Sequence, residues 1–251
     1  MPSVMWFRRD LRLFDNPALN AAIDSAANDG DSNVVALFNI DPKVFDDAGD
    51  PLKAYQDASL KSLDESLNNN LLIRHGDPKK VIVEVAKAAQ AKIVHISEDF
   101  EPYGRKRDFE VEKELEKNGI KLIRTGSPYA VAPFRVKKDD GTPYRVFTPF
   151  YKSWVIHGWR KPAPKFKKEP NWIKPLKNEG RPKVKSDIEI PKAGEKNALD
   201  LFTKFLKNVI KGYDQNRNRP DLEGTSKLSI PLRFGEIRSE EHTSELQSHS
   251  F

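Results

Sequence analysis

The residues of this chain best suited to gripping an anion are Gly224, Thr225, Ser226 and Ser229, in the run EGTSKLSIPLRFGEI from Glu223 to Ile237. Glycine permits a turn, the three hydroxyls are hydrogen-bond donors, and backbone N–H groups in such a turn can converge on one oxyanion. Ahead of a helix the arrangement suits a pyrophosphate, because the helix N-terminus adds unpaired N–H groups and a favourable dipole. The same residues also fit a capped helix with a polar surface. A second set of candidates closes apolar runs: Arg8, Arg9 and Asp10 after the first, Asn39 and Asp41 after the second, Glu98 and Asp99 after the fourth. Loops are wet, so charges at such ends mark a polar crevice without fixing a ligand. Several chemistries are excluded. The chain has no cysteine, and its five histidines (His75, His95, His157, His242 and His249) lack ligand spacing, so neither thiol catalysis nor a metal site is expected. No GxGxxG follows the first apolar run, and no GxxxxGK[ST] occurs. No residue is assigned a catalytic role.

The elements that must position these residues follow from hydrophobic period. Val4 to Phe7, Val34 to Ile40, Leu71 to Ile73, Ile93 to Ile96 and Ile120 to Ile123 are strand-length and β-branched. Between them Pro17 to Ala27, Leu52 to Leu67, Pro78 to Gln90 and Gly104 to Lys117 carry apolar residues at helical spacing. Asp15-Asn16-Pro17 and Asp77-Pro78 read as helix starts, a capping side chain followed by Pro in the first turn. Five strands alternating with helices predict a doubly wound, five-stranded parallel α/β sheet, Rossmann-like in layout, with its ligand crevice at the carboxyl ends of the strands where strand order reverses.

From Arg160 to Lys192 there are 11 Lys or Arg against 4 Asp or Glu, and 6 of the 18 prolines. Like charges and missing backbone donors predict an extended connector with no core of its own. From Asn197 to Ile210 the positions Leu199, Phe202, Phe205, Leu206, Val209 and Ile210 recur at helical spacing, and this helix must bury one face against something. The expected organisation is an α/β domain over 1–155, a basic Pro-rich connector over 156–193, and the start of a helical domain over 194–237. The final 238–251 stretch contains SEEHTSELQSHSF, which has no period and resembles translated sequencing-adapter read-through; it is set aside as artefactual. MPSVMWFRRDLRL contains no apolar core of signal-peptide length, and no run approaches a membrane span, so a cytoplasmic protein without a membrane partner is expected. The net charge of +6 permits a polyanionic partner without requiring one.

Three stretches together resemble one family. WFRRDLRLFDNPAL (Trp6 to Leu19) is similar to the opening of the DNA photolyase and cryptochrome family. GTPYRVFTPFYKSW (Gly141 to Trp154) resembles the signature that closes its α/β domain, and EGTSKLSIPLRFGEI resembles its first flavin-contacting segment. Order and spacing agree over residues 4 to 237.

The resemblance implies the N-terminal part of a light-driven photolyase that uses FAD to repair pyrimidine dimers in UV-damaged DNA, acting as a monomer. It implies also that the larger part of the helical flavin domain is missing and that this piece is inactive alone. By resemblance Tyr213, Thr225, Ser226, Lys227, Leu228 and Ser229 fall on FAD-contacting positions, and Arg217 on a position that contacts DNA phosphate. Lys227 stands where arginine is frequent, keeping the charge and losing the bidentate fork. Folate-binding members carry Asn-Glu where this chain has Tyr103-Gly104, so a deazaflavin or flavin antenna is favoured over folate, in a crevice near Arg9, Asp10, Phe38, Asp41 and Asp99. Trp154, Trp159 and Trp172 precede the flavin domain and read as core or connector anchors. Two alternatives are a cryptochrome photosensor of the same fold and, from another class, a stand-alone nucleotide-binding α/β module.

Overall fold

The computed structural model describes residues 1–166 and 168–238. Five strands, β1 (Ser3–Phe7), β2 (Asn33–Ile40), β3 (Leu71–His75), β4 (Ile93–Ile96) and β5 (Lys121–Arg124), form a parallel sheet in the order β3-β2-β1-β4-β5. The order reverses at β1, as the sequence pattern predicts for a doubly wound sheet. The helices are α1 (Pro17–Asn28), α2 (Pro42–Phe45), α3 (Asp50–Ser66), α4 (Pro78–Ala88), α5 (Pro102–Glu116), α6 (Phe147–His157), α7 (Glu195–Lys204), α8 (Tyr213–Asn216) and α9 (Ser229–Phe234). Both expected helix starts form: Asn16 Oδ1 accepts from Leu19 N at 3.1 Å and Asp77 Oδ1 from Lys79 N at 3.1 Å, each with Pro in the first turn.

Alternation along β1 divides the core. Met5 and Phe7 pack with Leu19 and Ala22 of α1 and with Tyr55, Leu60 and Leu63 of α3. Val4 and Trp6 pack with Ile82 and Val85 of α4 and with Val111 and Leu115 of α5. Because both faces are covered, the strands read as continuous apolar runs.

The connector departs from expectation. It is irregular, but it is held along the domain by specific contacts. Asn171–Trp172 forms a sixth parallel strand, β6, on the amino end of β2, in register Asn33↔Asn171 and Val34↔Trp172. Asn178 then bonds both Ile73 N (3.1 Å) and Leu71 O (3.0 Å), and Arg181 pairs with Asp57 at 2.6 Å. A strand of two residues has no period to read, so only the pairing reveals it.

The helix expected from Asn197 to Ile210 is α-helical only to Lys204; a π-helical turn (Phe205–Val209) and a 3-10 turn (Ile210–Gly212) follow. Its partner lies within the chain, where Ala198 and Phe202 pack on Leu228 and Ile237. The segment after α9 returns to the α/β core, with Phe234 packed on Tyr55 at 5.1 Å between ring centroids. Of the tail set aside from the sequence, 238–251, Arg238 is buried and pairs with Asp15 at 2.7 Å, and Ser239 onward lies outside the described residues.

Candidate functional site: a crevice at the switch point of the sheet

The carboxyl ends of β1, β2 and β4 open on a crevice of about 190 Å3, whose lining includes Trp6, Arg9, Phe38, Asp41, Asp99 and Tyr103. Four of the five expected crevice residues, Arg9, Phe38, Asp41 and Asp99, line it. Asp10 does not. It is buried beneath the crevice floor, where its carboxylate accepts from Arg8 N (2.8 Å) and Ser97 Oγ (2.6 Å) and ties the β1 loop to the β4 loop. In the sequence Asp10 follows two arginines in a loop, which gives no sign that it turns inward.

Each lining residue is held by a neighbour. Arg9 pairs with Glu101 and donates from Nε to Arg233 O at 3.3 Å. Asp41 caps α2 through Lys43 N (3.1 Å) and accepts from the Tyr103 hydroxyl. Burial and that acceptor together raise the Tyr103 pKa above its ordinary value, so the phenol stays a donor at any physiological pH. Asp99 accepts from Arg107 at 3.3 Å, and the Arg107 guanidinium lies 5.2 Å from the Trp6 ring centroid and 5.8 Å from that of Tyr103. Arg8, also in the lining, pairs with Asp108 at 2.6 Å; desolvation lowers its pKa against the pull of that carboxylate.

The walls are therefore aromatic (Trp6, Phe38, Tyr103, Phe234), and the charges are arginines (Arg8, Arg9, Arg107, Arg233) interleaved with carboxylates (Asp41, Asp99, Glu101). Two polar atoms of lining residues, Asn39 Oδ1 and Trp6 Nε1, are buried without a hydrogen-bond partner. Such a donor set fits a flat heteroaromatic ring with its own N–H and C=O edge and an anionic tail. A Cβ at Gly104 would overlap the Asp99 carboxylate, so a glutamate there demands that Asp99 and Arg107 move. Sequence reasoning missed Trp6, Arg107 and Arg233. Arg107 was legible, lying four residues after Tyr103 on one helix face.

The residues matched to flavin contacts lie elsewhere: Tyr213 begins α8, Thr225, Ser226, Lys227 and Leu228 lie between α8 and α9, and Ser229 begins α9. Thr225, Lys227, Ser229 and Tyr213 are exposed, and Ser226 is partly so. Lys227 has a φ of 57° and pairs with Glu223 at 3.5 Å. Leu228 is different, because its side chain is buried against Ala198 and Phe202, which leaves only its backbone for a ligand. Arg217 is exposed at the end of α8, its N–H bonded to Tyr213 O at 2.9 Å. No group of three or more His, Asp or Glu with metal-binding geometry occurs among the described residues. No helix among them is long and apolar enough to cross a membrane.

Fold and crevice define a doubly wound α/β protein with an aromatic, arginine-rich ligand site at its switch point. A model of the DNA photolyase family matches residues 3–169. The chain is 32% identical over 256 residues to the deoxyribodipyrimidine photo-lyase of a Synechococcus species, across 94% of this chain and 51% of that protein. The crystal structure of a bacterial class III photolyase from Agrobacterium tumefaciens superposes with a TM-score of 0.77 at 27% identity, covering 100% of this chain and 54% of that one. An archaeal photolyase from Sulfolobus tokodaii, solved with two FAD molecules, shares the fold at 23% identity and a TM-score of 0.77, over 98% and 55%. The chain belongs to the DNA photolyase family, and it spans about half the length of the curated relatives it matches.

Proposed function

We propose that the chain is the amino-terminal, light-collecting half of a light-driven deoxyribodipyrimidine photolyase, and that its switch-point crevice holds a flavin- or deazaflavin-type antenna. The observation that carries this reading is the crevice itself, aromatic in its walls and arginine-rich in its charges, on a fold matched end to end by photolyases. The flavin-type assignment rests on the Tyr103-Gly104 pair, where a glutamate in place of Gly104 would overlap Asp99. In the complete enzyme a reduced FAD supplies the electron that splits the dimer. Toward that FAD this chain offers the hydroxyls of Thr225, Ser226 and Ser229, the backbone of Leu228, the Lys227 ammonium and the Tyr213 ring. Arg217 offers a charge to a phosphate of UV-damaged DNA, a contact that positions the duplex and reads no sequence. The piece alone lacks repair activity, since a few hydrogen bonds on an exposed segment do not enclose a flavin.

Two measurements test the reading. Titration of the purified chain with FMN or a deazaflavin should quench the chromophore's fluorescence, whereas methenyltetrahydrofolate should not bind; uptake of the folate alone overturns the antenna assignment. The full-length protein carrying this half should remove pyrimidine dimers from irradiated DNA in blue light only. Equal removal in darkness overturns the photolyase reading.

A further inference from the structure

Helix α6 stands apart from the rest of the fold. Of the described helices of ten or more residues it alone buries no side chain; Phe147 is 72% exposed, Tyr151 49% and Ile156 86%. Its aromatic residues are nonetheless ordered among themselves. Phe147 and Tyr151, four residues apart, stack at 5.7 Å with 21° between their planes, and Tyr151 stacks on Trp154 at 6.2 Å and 18°. Gly158, at φ 66°, then turns the chain so that Trp159 folds back on Trp154 at 4.9 Å and 27°. Two of the three tryptophans read from sequence as core or connector anchors are thus the half-buried inner end of a row of four rings whose outer two are exposed.

The stretch that carries the row has charge of one sign. Residues 141–168 contain seven Lys or Arg and no Asp or Glu. Arg145, Lys152 and Lys161 are exposed, and no carboxylate among the described residues pairs with them. Arg135 and His157 extend this surface around a neighbouring cavity of about 390 Å3 that also includes Tyr129 and Trp159, with Glu98 as its one carboxylate. Flat rings interleaved with unpaired cations complement a chain of π-faces joined by phosphates.

We propose that α6 is a docking platform for single-stranded nucleic acid, separate from the Arg217 position. Bases stack on the outward faces of Phe147 and Tyr151, with Trp154 and Trp159 backing them, and phosphates lie along Arg145, Lys152 and Lys161. Neither sequence pattern nor family match assigns this role, and it does not depend on the crevice or the flavin segment.

The test uses the whole chain and a dye-labelled oligothymidylate of about 20 nucleotides at low salt. Micromolar binding with quenching of tryptophan fluorescence is expected. Phe147→Ala combined with Tyr151→Ala should weaken it at least about tenfold with the circular dichroism unchanged, because neither ring is buried. Lys152→Ala should lower the slope of log affinity against log salt by about 0.7, the value for one lost phosphate contact on a single strand. Lys87→Ala, at an exposed position in the last turn of α4, should leave single-strand affinity as it was. Absence of oligothymidylate binding, unchanged affinity in the double variant, or equally tight duplex binding without quenching overturns the proposal. Self-association abolished by the double variant, with nucleic-acid affinity intact, would assign the face to a second copy. Capture by anionic vesicles without oligonucleotide binding would assign it to a membrane surface. Either result overturns the proposal as well.

Discussion

His95 gives the sharpest test of the energetics of the α/β core. It sits in β4 opposite Met5 and Ile123, on the face that alternates away from Val94 and Ile96. The residue is 1% exposed, and both ring nitrogens are buried without a hydrogen-bond partner. Desolvation alone lowers its pKa from 6.5 to about 4. Because the folded value is depressed, the unfolded chain binds the proton more tightly. Stability is therefore fully present above pH 6.5 and falls as pH drops toward 4. At roughly 1.4 kcal/mol per pH unit, the displacement corresponds to about 3 kcal/mol lost across that interval. His95→Leu removes both the titration and two unsatisfied polar atoms. The variant should be at least as stable as the parent at neutral pH, since an unsatisfied buried group costs roughly 1–3 kcal/mol. Its advantage should widen by about 3 kcal/mol on acidification. Urea unfolding followed by tryptophan fluorescence at several pH values measures both quantities. Glu236, whose pKa burial raises, titrates with the opposite sign but is common to both proteins and cancels in the difference. A difference between variant and parent that does not change with pH would refute the reasoning.

Three further outcomes are expected. Glu236→Ala strands the Tyr55 hydroxyl, the Ser59 hydroxyl and Gly194 N, and should destabilise the chain by roughly 2–4 kcal/mol while exposing 229–238 to protease; Glu236→Gln should instead abolish the part of the stability that is present below pH 4.5 and lost as pH rises through the raised folded pKa, read from denaturation midpoints against pH. Gly104→Glu should weaken flavin or deazaflavin uptake at least about tenfold without loss of helical circular dichroism, because the new side chain displaces Asp99 and Arg107 at the crevice edge. The chain should take up no FAD tightly at the Thr225–Ser229 segment: its few hydrogen bonds, roughly 0.5–1.5 kcal/mol each, do not offset several kcal/mol of lost freedom, and calorimetry of the Gly104→Glu variant, with the crevice blocked, isolates that segment.

Much of the fold was legible because its signal is periodic. The five main strands and the helices α1, α3, α4 and α5 stand within a few residues of where hydrophobic spacing sets them, and the Asn16 and Asp77 caps are local chemistry. The crevice followed from topology, since a parallel sheet winding both ways from β1 must open there. What escaped has no local signature. β6 is two residues whose strand character exists only through pairing with Asn33 and Val34. Asp10 and Leu228 carry side chains suited to a site, yet tertiary packing turns one under Ser97 and the other against Phe202. Helix α6 was hidden for another reason: with no buried face it has no amphipathic stripe to detect.

The two stretches that identify the family at its ends, Trp6 to Leu19 and Glu223 to Ile237, are in physical terms a single buried joint. Leu11 N donates to Phe234 O at 3.2 Å, and Arg12 donates to Gly235 O at 2.8 Å and to Asp15 O at 2.9 Å. The Asp15 carboxylate, fully buried, collects Arg160 (2.7 Å), Ala163 N (2.6 Å) and Arg238 (2.7 Å), so β1's loop, the connector and the last described residues meet on one anion. Gly235 has a φ of 67°, and a Cβ there would overlap the Arg9 carbonyl, which is why only glycine permits the approach. Charges this deep are costly unless every partner is present. Arg9, meanwhile, reaches from the same loop into the crevice and back to Arg233 O. The segment carrying Thr225 to Ser229 is therefore positioned by the loop that lines the switch-point crevice. A shift in either side of the joint must be felt in both places, which gives a physical reason for the two motifs to travel together in one chain.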